Sequence, residues 1–206
     1  MLNCKLYVPF AGFLWSIQDK HQLLEVRENG TEVFYSSGNE LAVVKGDKPI
    51  LRQGQFYFEV CIENTGQNSK ISVGICTKSH PLDSHPGWEP NSFGYHGDDG
   101  NIYCESGSPT YCPEKPFKPG SIIGVLLDFN KSTLTFSREQ KEVQIIQLQS
   151  RHMNQDYYPC VGNRSPGAVI RLTKPIAIPK SGTMLNNLVY SFLSNKHTAN
   201  LNFPIK

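Results

Sequence analysis

The residues best suited by type to do chemistry stand together mid-chain. His96-Gly97-Asp98-Asp99-Gly100 sets an imidazole beside two carboxylates, and Trp88, Phe93 and Tyr95 precede it. A histidine and two carboxylates could ligate a metal. A calcium loop, however, spreads several oxygen ligands over about a dozen residues, and no third carboxylate stands at such spacing here. Asp-Asp-Gly is instead ordinary turn chemistry, so neither metal nor cofactor is expected. Cysteine nucleophiles would be Cys104 or Cys112, with His80, His85, His96 or His152 as base. No nucleophile elbow, HExxH, phosphate loop or dinucleotide fingerprint accompanies them. A glycosidase pair of carboxylates needs no sequence neighbours and stays open, but the expectation is a chain that is not an enzyme. The aromatic residues point to recognition, because a loop carrying Trp88 leads into a short strand on which Phe93 and Tyr95 share one face.

The elements that would position these residues read as strands and turns. Leu23–Val26 and Thr31–Tyr35 flank Glu28-Asn29-Gly30 as a hairpin. Leu41–Val44 is followed by the loop Gly46-Asp47-Lys48-Pro49. Phe56–Ile62 is a long aromatic and β-branched strand, and Lys70–Cys76 is expected to return antiparallel to it. Gly74 there permits close approach by a neighbouring backbone. From Thr77 to Asn91 there is no strand pattern, and a long loop inside a compact domain is usually functional. Ile122–Phe129 and Thr133–Ser137 form a second hairpin around Asn130-Lys131-Ser132, and strands follow at Glu142–Ile146, Tyr158–Val161 and Ala168–Leu172. Many short strands with frequent turns predict an all-β chain, a two-sheet antiparallel β-sandwich. The expected organisation is a lead-in segment over 1–12, the sandwich over 13–174, and a linker, short helix and tail over 175–206. Met184, Leu185, Leu188, Val189, Phe192 and Leu193 recur at helical spacing.

Composition narrows the function classes. With 20 basic and 18 acidic residues the chain carries +2, far from the clustered positive footprint of a nucleic-acid binder. The six cysteines form no CxxC pair and read as reduced, buried side chains. Leu6–Gln18 is uncharged, but Pro9 and Gly12 interrupt it and it is shorter than the ~20 residues of a membrane span. The expectation is a cytoplasmic chain, with secretion as the lesser alternative, no nucleic-acid or membrane partner, and a monomeric state.

The stretch Gly87-Trp88 through Phe93-Gly94-Tyr95-His96 to Asp98-Asp99-Gly100 resembles the central motif of SPRY domains, especially those of the Ran-binding protein M group. Trp15-Ser16, Tyr57-Phe58-Glu59-Val60, Val73-Gly74-Ile75, Gly120–Gly124, Tyr158–Gly162 and Ser165-Pro166-Gly167 resemble further family positions in order. The resemblance implies a bent β-sandwich without a catalytic centre, whose loops at one edge capture a short peptide segment of a partner protein. By that resemblance the binding face would gather Asp47, Lys48, Pro49 and Ile50 with Trp88, Phe93 and Tyr95, and with Asn163, Arg164 and Ser165. Trp88 is open between plugging the core and anchoring a ligand, whereas Tyr95 is expected to be exposed. Asn163-Arg164 departs from the uncharged residues usual in that loop. Two other readings stand beside this one: a carbohydrate-binding sandwich, since Trp and Tyr also stack on sugars, and an adaptor docking a larger complex, such as a ubiquitin ligase, through the C-terminal helix.

Overall fold

The computed structural model describes residues 12–110 and 116–178. The expected Met184–Leu193 helix and nearly all of the lead-in segment lie outside the described residues. The strands are β1 (Trp15–Lys20), β2 (Leu24–Arg27), β3 (Glu32–Tyr35), β4 (Ala42–Gly46), β5 (Gln55–Asn64), β6 (Ile71–Thr77), β7 (Ser92–His96), β8 (Ile102–Cys104), β9 (Pro109–Thr110), β10 (Ser121–Asp128), β11 (Thr133–Arg138) and β12 (Lys141–Gln147). A one-turn helix, α1 (Ser150–Met153), precedes β13 (Tyr157–Asn163) and β14 (Val169–Ile178). They build two seven-stranded antiparallel sheets, ordered β1-β4-β13-β6-β7-β8-β9 and β12-β11-β10-β5-β14-β3-β2.

Strand alternation explains why the two sheets meet. On β6 and β7, Val73, Ile75, Phe93 and Tyr95 face inward and pack against Phe58, Val60 and Phe136 of the second sheet in one continuous core. The β10–β11 hairpin forms as read, with Asp128 paired to Thr133 at the turn.

The expected pairing of β6 with β5 does not form. β5 pairs with β10 and β14, whereas β6 pairs with β13 and β7 in the other sheet. Both strands do line the core, but from opposite sides. Each carries an apolar inner face, and burying both requires the intervening turn to carry the chain across the sandwich rather than back along one sheet. Residues 175–178, expected to belong to the linker, are instead the end of β14, which runs on to Ile178 beside β5, with Pro175 opposite Phe58; the rest of the expected linker lies outside the described residues. Among the described residues, no helix is long and apolar enough to cross a membrane.

Candidate recognition surface

The outer face of the first sheet is paved with small side chains. Register places Cys160, Gly74 and Gly94 in one cross-strand row, and Gly162, Ser72 and His96 in the next. Residues two apart on a strand share a face, so Ser72, Gly74, Ser92, Gly94 and His96 turn outward while Phe93 and Tyr95 turn inward. Onto this shallow floor folds the loop of residues 78–91. A Cβ on Gly94 would stand 2.0 Å from the Pro86 carbonyl oxygen, and one on Gly162 would stand 2.8 Å from His85 Nδ1. The loop lies against backbone where no side chain fits.

Polar groups hold the loop down. Buried Lys45 donates from Nζ to the Lys78 and His80 carbonyls at 2.6 and 2.8 Å. His80 Nε2 donates to the Ser84 carbonyl at 2.8 Å, and His96 Nε2 donates to the Pro86 carbonyl at 2.9 Å. His85 Nδ1 and Ser72 Oγ are 2.7 Å apart. Gly87 adopts φ +97° and donates its N–H to Ser92 Oγ at 2.9 Å. That positive φ and the adjacent Tyr103 backbone are open only to glycine. The loop is therefore fixed to the sheet from both ends.

Trp88 rides on top. Its ring packs on His85 at 5.0 Å, His96 at 5.9 Å and Tyr103 at 6.4 Å between centroids, and it remains 39% exposed. It is neither a core plug nor a free side chain, but a half-exposed aromatic on an aromatic pedestal. His85 and His96 sit 4.9 Å apart. Burial holds His85 well below the usual imidazole range, and the His96, Arg164 and Lys70 charges push it the same way. Burial also lowers His96, against the opposing pull of the Pro86 carbonyl, Asp98 and Asp99. Both imidazoles are thereby shifted toward the neutral form.

The loops around this end of the sheet carry charge. Arg164 follows β13, donates its N–H to the Lys70 carbonyl at 2.8 Å and donates from Nε to the Asn39 carbonyl at 2.7 Å. Asp98 and Asp99 form the β7–β8 turn. Asp99 accepts from Asn101 N–H at 2.9 Å and from Tyr103 Oη at 2.7 Å. Burial would raise this carboxyl, but those bonds together bring it below its usual value. Among the described residues, no cluster of three or more His, Cys, Asp or Glu side chains is arranged to hold a metal ion.

The residues expected to share one face divide into three groups. Trp88 and Arg164 lie at this end. Asp47, Lys48 and Pro49 are exposed but follow β4 at the opposite end of the sheet, where Asp47 Oδ1 accepts from Leu14 N–H at 2.9 Å. Ile50 is buried there, its N–H on the Tyr157 carbonyl at 2.7 Å. From Tyr157 to Asn163 at ~3.3 Å per residue, the two ends are about 20 Å apart.

Phe93, Tyr95, Asn163 and Ser165 are buried. The expected exposure of Tyr95 is corrected to 0%, because alternation aims its ring at Phe117 and Phe136, with centroids at 4.9 and 6.2 Å. Phe93 packs on Tyr157 at 6.1 Å. Asn163 Oδ1 accepts from Ser165 N–H at 2.8 Å, and Ser165 Oγ donates to the Thr65 carbonyl at 2.7 Å. Asn163 and Ser165 shape the loop that presents Arg164. Ser72, His85, His96, Tyr103, Lys70 and Asp98 belong to this surface without having been singled out for it. Their signal was the run of Gly, Ser and Cys at alternate positions of β6, β7 and β13, a floor that something must cover closely.

Comparison with known proteins places this architecture. The SPRY domain family matches residues 55–175. The chain belongs to the SPRY domain family. This SPRY domain is 32% identical to Ran-binding protein 9 of Xenopus laevis over 162 residues, covering 76% of this chain and 29% of that protein. It is 32% identical to the Ran-binding proteins 9/10 homolog of Drosophila melanogaster over 159 residues, covering 74% of this chain and 16% of that one. The chain thus spans less than a third of the length of these relatives. A human SPRY domain crystal structure superposes with a TM-score of 0.63 at 25% identity, covering 79% of this chain and 96% of that one. The SPRY domain of human HERC1 gives 0.62 at 20% identity, covering 77% and 96%. SPRY domains are protein-interaction modules rather than enzymes, and the sandwich and its family are those read from the motifs.

Proposed function

We propose that this SPRY domain captures a short extended segment of a partner protein on the end of the first sheet where Trp88 stands. The observation that carries the reading is the rigid, half-exposed Trp88 ring seated on His85, His96 and Tyr103. Interfaces draw most of their affinity from a few aromatic and arginine anchors, and a receptor that is already ordered loses little entropy on binding. Support also comes from the loops around Arg164 and Asp98, which ring the aromatic with polar groups. The loop of Asp47, Lys48 and Pro49 takes no part in the same site, being at the other end of the sheet.

The test is fluorescence polarisation with a peptide selected on the intact chain. Trp88→Ala is expected to weaken binding by at least about 30-fold, the loss typical of an interface hot spot of about 2 kcal/mol, while leaving the melting temperature near wild type. Lys48→Ala is expected to bind as wild type. Equal affinity for Trp88→Ala and wild type would overturn the assignment, and binding on a glycan array with no peptide bound would favour the carbohydrate reading.

A further inference from the structure

The rim around Trp88 is electrically ordered. In the first sheet, β13, β6, β7 and β8 are consecutive neighbours. At the end of that sheet Arg164 follows β13, Lys70 precedes β6, and Asp98 and Asp99 join β7 to β8. Positive charge thus occupies one flank and negative charge the other. The electrostatics of the pedestal report the same arrangement. His85 feels the cations of Arg164 and Lys70, while His96, 4.9 Å from it, feels the anions of Asp98 and Asp99. Trp88, over His85 and His96, lies between the two flanks.

The charges are also available. Among the described residues, the Lys70 ammonium and the Asp98 carboxylate make no hydrogen bond or ion pair. Arg164 uses Nε on the Asn39 carbonyl, and no ion pair engages the rest of its guanidinium among the described residues. An ordered pair of unneutralised flanks recognises a partner by orientation as well as by sign.

We propose that the segment captured at Trp88 is itself charge-ordered: an acidic side chain over Lys70 and Arg164, an apolar side chain against Trp88, and a basic side chain at Asp98. This rests on the reading above that Trp88 is the anchor, and it specifies the partner's chemistry. Spacing follows from the sheet. Strands lie ~4.8 Å apart, so Lys70 to the β7–β8 turn is about 7 Å and Arg164 to the same turn is about 12 Å. An extended chain rising ~3.3 Å per residue covers these distances in roughly two to four residues. The acidic and basic residues are therefore two to four positions apart, with the apolar residue between them.

A random 12-residue peptide library displayed on phage and panned against the whole 206-residue chain tests this, in parallel with Trp88→Ala, Lys70→Glu and Asp98→Lys. Neither Lys70 nor Asp98 has a side-chain bond to lose, and unchanged melting would confirm that those variants fold. The wild-type chain is expected to enrich peptides with an acidic and a basic residue two to four apart around an apolar one. Lys70→Glu is expected to lose the acidic preference and Asp98→Lys the basic one. For a single selected peptide, each reversal should weaken binding by at least about 2- to 5-fold, the range of exposed ion pairs, and less so at 0.5 M salt.

Peptides that need Trp88 but show no charge order, or keep the same order on both charge variants, would overturn this inference and leave the Trp88 anchor standing. Enrichment that survives Trp88→Ala, or no enrichment on any form, would overturn the anchor and this inference with it.

Discussion

Gly94→Ala gives the sharpest perturbation of the recognition surface, because it adds one methyl where the loop touches the sheet. In a strand this change is ordinarily neutral or favourable to the backbone. Here the new Cβ would stand 2.0 Å from the Pro86 carbonyl oxygen and 2.7 Å from its carbon, against 3.4 Å for ordinary contact. The carbonyl must retreat by about 1.4 Å, the difference between those two distances. That retreat breaks the bond from His96 Nε2, now 2.9 Å. Overpacking costs about 1–3 kcal/mol, and a buried donor left unsatisfied costs about 1–3 kcal/mol more, so the sum is about 2–6 kcal/mol. It can emerge as global instability or as local release of residues 86–88.

Two readouts therefore belong together: the urea midpoint, and the NMR resonance of the Trp88 indole N–H. Expected is a fall in midpoint, a displaced indole signal, or both, with peptide affinity reduced wherever the protein still folds. Gly107→Ala is the control, since a Cβ there meets nothing within 4 Å. If Gly94→Ala unfolds at the wild-type urea concentration with its Trp88 signal unmoved, the account of the loop as a close cover on a small-residue floor is wrong.

Other outcomes follow from the same contacts. His80, His85 and His96 have imidazoles lowered chiefly by burial, so below the unfolded-chain value of about 6.5 the unfolded state binds more protons. Stability is full above that pH and falls as pH drops through it, by up to about 1.4 kcal/mol per pH unit for each histidine; urea midpoints from pH 7.5 to 5 check this, and His85→Asn should flatten the slope. Tyr95→Ala should destabilise by about 3–5 kcal/mol, as a large aromatic lost from a core does, which denaturant unfolding would measure; a surface ligand contact would lose affinity with little change in stability. Lys45→Met leaves the Lys78 and His80 carbonyls without their donor and should cost about 1–3 kcal/mol, with faster amide exchange in residues 78–91 than in β10.

How much of this was legible in sequence depended on which physical quantity each element needed. The β10–β11 hairpin needs only local information, an apolar run, a polar turn and a return, and it forms as read. The turn between β5 and β6 looks the same whether it closes a hairpin or crosses the sandwich. Its outcome rests on burying Phe58 and Val73 in the same core, which is not a local property. Tyr95 shows the converse. Its shared face with Phe93 was visible, but alternation alone does not say which face is inward when the opposite one is Ser92, Gly94 and His96, small or polar residues hidden under a loop. The proposed gathering of Lys48 with Arg164 failed for want of register. Pairing Cys160 with Lys45 and Asn163 with Ala42 puts the two loops at opposite ends of neighbouring strands, and a single chain does not print that pairing.

The central claim is that partner segments bind at the Trp88 end of the first sheet. Titrating a selected peptide into the isotope-labelled chain and following amide and indole resonances tests it most directly. The account predicts shifts at Lys70, Trp88, Asp98, Tyr103 and Arg164, with Asp47 and Lys48 unmoved. Shifts centred on Asp47 and Lys48, with the Trp88 indole unmoved at saturation, would contradict it.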